Sequence, residues 1–188
     1  MRVTPLAVIV VLSVAGALGG CAGDGARLDV PGPGVVPPLG SDVLPLEASV
    51  AHFVTQPPGE LRLRTEPSAD GEGATIWMEG DVPQGRRIDV QRTATGVRIG
   101  AGPSTGYELV REGALPGEAW ESGGRTVTFD GWERVETPAG VFDAARIRTQ
   151  RREGDVVDTE VWWLAAGSGI VRLEIDKRVF QLSMTRVR

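Results

Sequence analysis

The chain has 188 residues, 20 basic against 25 acidic side chains, a formal charge of −5, and a single histidine and a single cysteine. That length supplies one domain with a real core once the N-terminal segments are set aside. An acidic balance without a basic tract argues against a nucleic-acid partner, and one histidine with one cysteine excludes a His-rich or thiolate metal site and an intrachain disulfide.

Residues 1–20 read as a lipoprotein signal peptide. Arg2 supplies a short positive start, and Pro5 to Leu18 is an apolar run of about 14 residues. Such a run is too short to cross a ~30 Å hydrocarbon core as a helix, and it has the length of an export signal. It ends in Leu18-Gly19-Gly20-Cys21, which resembles the lipobox of bacterial lipoproteins. Two small residues let a peptidase draw the backbone close, and the Cys21 thiol would take the lipid. The expected location is therefore the cell envelope, with the membrane as a partner through a lipidated Cys21. Neither Ala22 nor Gly23 is acidic, which favours the outer membrane, facing the periplasm, if the cell has two membranes.

Residues 21–42 read as the lipidated cysteine and a flexible tether, dense in Gly and Pro and without periodicity. A segment of that composition buries too little apolar surface to offset its ordering entropy. About 20 residues reach at most ~70 Å when stretched and average nearer ~25 Å as a flexible chain.

Residues 43–188 predict a single antiparallel β domain. Leu61 and Leu63 alternate with Arg62 and Arg64, Ile76 and Met78 with Trp77 and Glu79, and Ile88 and Val90 with Asp89 and Gln91. Val97 and Ile99, Val127 and Phe129, Val171 to Ile175 and Phe180 to Met184 repeat the pattern, which is that of half-buried strands. Gly or Pro marks nearly every junction, and no segment sustains a helical period. Short connections favour antiparallel neighbours. The predicted fold is all-β, an antiparallel meander forming a curved, partly closed barrel or a two-layer sandwich. Its centre is the hairpin from Val135 to Arg172, with Pro138 and Gly140 as structural turn residues at its opening and Gly167 and Gly169 at its close.

The stretch Val135-Glu136-Thr137-Pro138-Ala139-Gly140-Val141-Phe142-Asp143-Ala144 resembles the V-x-x-P-A-G-T-F-x-A of a bacterial family of exported, often lipid-anchored proteins sometimes called TapB-like. Trp163-Leu164-Ala165-Ala166-Gly167-Ser168-Gly169-Ile170-Val171 is similar to that family's W-Y-A-P-G-V-G-L-V, and Asp42 to Leu46 and Leu115 to Trp120 to two further motifs. Ala166 and Ser168 depart from the family pattern, and its first G-x-x-W is replaced by Ala51-His52-Phe53. The resemblance implies an all-β fold of unknown function.

No residue pattern points to catalysis, a metal or a cofactor. Gly102-Pro103-Ser104-Thr105-Gly106 matches G-x-S-x-G, but a nucleophile elbow needs a following helix and a later histidine. Tyr107 to Arg111 reads as extended and His52 lies upstream, so a loop explains the match. Asp158 and Glu160 share a strand face, an arrangement common on solvated faces. Neighbours in a strand point to opposite sides. Alternation therefore sets Val157, Val161 and Trp163 toward the core and Trp162 with Asp158 and Glu160 on the more polar side, unless a bulge reverses the phase. Those last three, Trp162, Asp158 and Glu160, are the candidate partner contacts. The expectation is a non-catalytic, lipid-anchored envelope protein binding a protein or polymer; the alternative is a carrier or chaperone holding a hydrophobic ligand on the concave side of the sheet.

Overall fold

The computed structural model describes residues 36–56, 58–80, 86–100, 106–175 and 177–187. The expected signal peptide, Cys21, most of the expected tether and the Ser104 loop lie outside the described residues. A 3-10 turn, Ser41–Val43, precedes β1 (Ser49–Gln56), β2 (Glu60–Pro67), β3 (Gly73–Gly80), β4 (Arg86–Thr93), β5 (Gly96–Gly100) and β6 (Tyr107–Arg111). The second half holds β7 (Ala119–Ser122), β8 (Arg125–Thr137), β9 (Gly140–Glu153), β10 (Val156–Ala165), β11 (Gly169–Ile175) and β12 (Arg178–Val187).

These strands form one 12-stranded sheet in the order β6-β5-β4-β3-β2-β1-β12-β11-β10-β9-β8-β7. Every pairing is antiparallel, and each half is a meander. The halves join where β1 meets β12, with Phe53 opposite Leu182. The two edge strands come together at the other side. There the Glu108 backbone N–H donates to Ser122 Oγ at 2.8 Å, and Trp120 Nε1 donates to the Glu108 carbonyl at 2.9 Å. Side chains rather than a backbone ladder thus span the seam, and the sheet is an all-β, nearly closed barrel.

Period-two alternation decides what fills it. Ile76 and Met78 are buried inside while Trp77 lies outside, flanked by the guanidinium groups of Arg64 and Arg87 at 5.9 and 5.6 Å from its ring centre. Phe53, Leu61, Phe129, Ile147, Leu173 and Phe180 are among the other buried core residues. Each such side chain contributes roughly 1.5–3 kcal/mol on leaving water. In β8 the pairing slips between Phe129 and Gly131, and Gly131 takes φ 132°. A bulge of this kind bends its strand. Beyond the bend the β8–β9 hairpin reaches β12, where the Ala139 N–H donates to the Leu182 carbonyl at 3.0 Å.

Residues 36–48 close one end of the barrel, where β1 begins. Leu39 is 1% exposed, and Val43, Leu44 and Leu46 are also buried. Leu39 exchanges backbone bonds with the loop after β6: its N–H reaches the Ala114 carbonyl at 2.9 Å, and its carbonyl accepts from Gly113 at 2.8 Å. Trp132 Nε1 donates to the Pro37 carbonyl at 2.8 Å. The packed domain therefore starts at or before Pro37, inside the stretch expected to be tether to residue 42. Composition misled there because one leucine among Gly and Pro carries no periodicity, yet a hole at the barrel end receives it.

At the turns flanking the central hairpin, Gly140, Gly167 and Gly169 have φ of 143°, 70° and 73°. Pro138 occupies the β8–β9 turn, where the Thr137 hydroxyl accepts from the Ala139 N–H at 3.2 Å.

Candidate functional site: the open end of the barrel

The end opposite residues 36–48 gathers the starts of β6, β8 and β10 and the ends of β5, β9 and β11. It holds a cavity of about 380 Å³ whose wall includes Tyr107, Arg125, Arg151, Glu160 and Trp162. Ile88, Ile99 and Ile175 supply apolar wall, and Arg87 stands at the rim.

Ladder register shows why these side chains point inward. Glu160 lies opposite Thr149 and Trp162 opposite Ile147 and Leu173, all of which are fully buried. Arg125 is in phase with Val127 and Phe129 of the core. Gly123 permits the tight turn before it: at φ 57°, an added Cβ would sit 2.7 Å from the Gly106 carbonyl oxygen and 2.9 Å from Tyr107 Cβ.

Arg125 is the hub. Its guanidinium lies 4.9 Å from the centre of the Tyr107 ring, within cation–π range. It stands 3.6 Å from a Glu160 carboxylate oxygen and 3.9 Å from Asp158, and donates to Thr149 Oγ1 at 3.3 Å. The Tyr107 hydroxyl donates to the other Glu160 oxygen at 3.4 Å. Glu160 is 5% exposed, so its charge needs these partners. Burial, and then the Glu160 charge, pushes the ionisation of Tyr107 far above the ordinary phenol range, with Arg125 opposing. The Tyr107 hydroxyl is thus held in the protonated, donating form at neutral pH. The indole N–H of Trp162 is buried and has no hydrogen-bond partner among the described residues.

The three candidate contacts do converge, but inside the mouth rather than on an outer face. Asp158 is half-exposed at the rim, and Glu160 and Trp162 are buried. The expected exposure of Trp162 is corrected: the ring is 3% exposed and faces the core. Trp163 takes the outer side, opposite Arg146 and Arg172. Their guanidinium groups cover it at 5.6 and 4.5 Å from its centre, and its indole N–H reaches Glu133. Both tryptophans are therefore buried, one by the core and one by arginines. Counting apolar neighbours along β10 put the wrong face inward, because Val157 lies at an exposed strand start and Glu160, counted toward the polar side, is buried.

Arg125, Tyr107, Thr149 and Arg151 were not singled out by sequence. The usable signal was phase: Arg125 shares alternation with Val127 and Phe129, and Glu160 with Trp162 and Leu164. His52 lies elsewhere, opposite Arg62 and Met184. Among the described residues no group of three or more His, Cys, Asp or Glu side chains could hold a metal ion, and no helix is long and apolar enough to cross a membrane.

No family model and no curated protein matches the chain. Among solved structures, a Bacteroides fragilis protein assigned as exported, with a YmcC-like fold, aligns at a TM-score of 0.45 and 12% identity, over 80% of this chain and 100% of that one. Neither fold nor role transfers at that distance.

Proposed function

We propose that this chain is a lipid-anchored, non-catalytic protein of the cell envelope that holds an envelope partner, a protein or a polymer, at the open end of its barrel. The observation that carries the reading is polarity between the two ends. The N-terminal segment packs into one end and seals it, and the polar chamber opens at the other. A lipidated Cys21 would draw the sealed end toward the membrane and turn the chamber away from it. The roughly 15 residues between Cys21 and residue 36 span at most ~50 Å. A lipoprotein's several acyl chains anchor stably, where a single chain binds only marginally.

Charged walls favour a binder over a hydrophobic carrier, since the apolar interior is occupied by its own side chains. The non-catalytic reading is supported by how the polar groups are used: Glu160 is engaged by Arg125 and Tyr107, and Tyr107 keeps its proton.

Metabolic acyl labelling with membrane fractionation tests the anchor. Wild type takes up label and sediments with membranes, and Cys21→Ser takes up no label and is left uncleaved or soluble; an unlabelled wild type sinks the localisation. For the partner, a Val156→benzoylphenylalanine variant places a photo-crosslinker at the exposed start of β10, in phase with Asp158 and Glu160. It should give one dominant envelope adduct in cells, and a smear matching that of a crosslinker at exposed Leu115 would overturn partner binding at the mouth.

A further inference from the structure

We infer that the chamber at the open end takes a compact carboxylate on an apolar body, the chemistry of an aliphatic residue at a free peptide C-terminus. This deepens the envelope-partner reading and rests on it. The volume, about 380 Å³, is in the range of small-ligand sites. Two arginines of inward phase, Arg125 and Arg151, line it against the single carboxylate of Glu160, while Arg87, also on the wall, turns its guanidinium out over Trp77. Each already has a carboxylate in range: Asp89 for Arg87, Glu160 and Asp158 for Arg125, and Glu153 for Arg151. Asp89, Asp158 and Glu153 are not part of the wall, so the surface a ligand meets is richer in donors than in acceptors. A guanidinium has five N–H donors in a planar fork that matches a carboxylate, and one such pairing leaves several donors unspent.

The rest of the wall explains the apolar body. Ile88, Ile99 and Ile175 and the carbon face of the Trp162 ring give the chamber apolar wall between its polar groups. A bare inorganic anion would leave that apolar wall wet. An aliphatic side chain beside the carboxylate would cover part of that wall. Trp162 also contributes a buried N–H for which the described chain supplies no acceptor.

The test uses the full chain in mild detergent, titrated calorimetrically with N-acetyl-leucine and with its neutral amide, which has nearly the same shape. The acid should bind and the amide should bind at least about tenfold more weakly, the worth of a charge-assisted hydrogen bond. Arg151 is half exposed, so Arg151→Met should keep the fold yet weaken the acid by about tenfold. In nitrogen-15 spectra the Trp162 indole signal, assigned by its loss in Trp162→Phe, should move with the acid and stay still with the amide. No saturable binding of the acid, equal binding of the amide, or an unmoved indole signal overturns the inference. If the acid fails while acyl labelling and the rim crosslink hold, the ligand class falls and the envelope reading stands. If the acid binds but wild type takes no label, the anchor falls and the ligand class stands.

Discussion

At the residue scale, the energetics of the mouth turn on Arg125 and Glu160. Removing one partner of a buried ion pair strands the other charge, at a cost of about 3–5 kcal/mol, whereas replacing both by apolar groups of similar volume is often near neutral. Arg125→Leu should therefore lose about 3–5 kcal/mol in urea melts, and Arg125→Leu with Glu160→Leu should recover most of it. If the double variant is as unstable as the single, packing of the Arg125 stem rather than charge is what matters. Tyr107 gives an alkaline signature. The unfolded phenol ionises near its ordinary value of about 10, and the folded phenol is held protonated well above it. The unfolded state then sheds a proton that the folded state keeps. This contribution is whole below pH ~10 and is lost as pH rises beyond it, by up to about 1.4 kcal/mol per pH unit. Tyr107→Phe should flatten that loss in melts run from about pH 9 to about 11; an identical slope in both proteins would mean other groups cause it.

At the element scale, the turn between β10 and β11 separates two glycines that look alike in sequence. Gly167 and Gly169 both have positive φ, but an added Cβ meets nothing at Gly167 and lies 3.3 Å from Pro45 Cδ at Gly169. Pro45 belongs to the segment that seals the barrel end. Backbone strain alone costs about 1–3 kcal/mol. Gly167→Val should show that cost, and Gly169→Val should exceed it and loosen the sealing segment. Hydrogen exchange at Leu39 reads the second effect, and unchanged protection there would show that the turn and the seal are independent.

At the scale of the whole molecule, the barrel is closed twice without a continuous ladder: at the seam by Trp120 and Ser122, and at one end by residues 36–48. The end seal makes the N-terminal segment part of the fold. Leu39→Ala should cost about 2–5 kcal/mol, the range for emptying a buried leucine site. Deleting residues 1–35 should leave the melt unchanged, while deletion through residue 48 should lower it sharply. If both deletions melt like the full chain, the seal is decorative.

The strands were legible because alternation is local: each side chain's face follows from its neighbour's, so Leu61 to Arg64, Ile76 to Glu79 and Phe180 to Met184 show half-buried strands without any knowledge of their partners. Turn glycines were legible for a similar reason, since only glycine takes positive φ cheaply. Three things were not. Which face of β10 is inward depends on the strands beside it, and Ile147 and Leu173 set Trp162 inside against the local count of valines. The burial of Leu39 depends on a hole that exists only once the sheet has curled. The chamber depends on residues from Tyr107 to Glu160, distant along the chain, which meet because β6 and β7 come together at the seam and bring Tyr107 and Arg125 to the end where Glu160 begins its inward run. Local chemistry determines the strands, but closure of the sheet alone decides which of their faces becomes an interior.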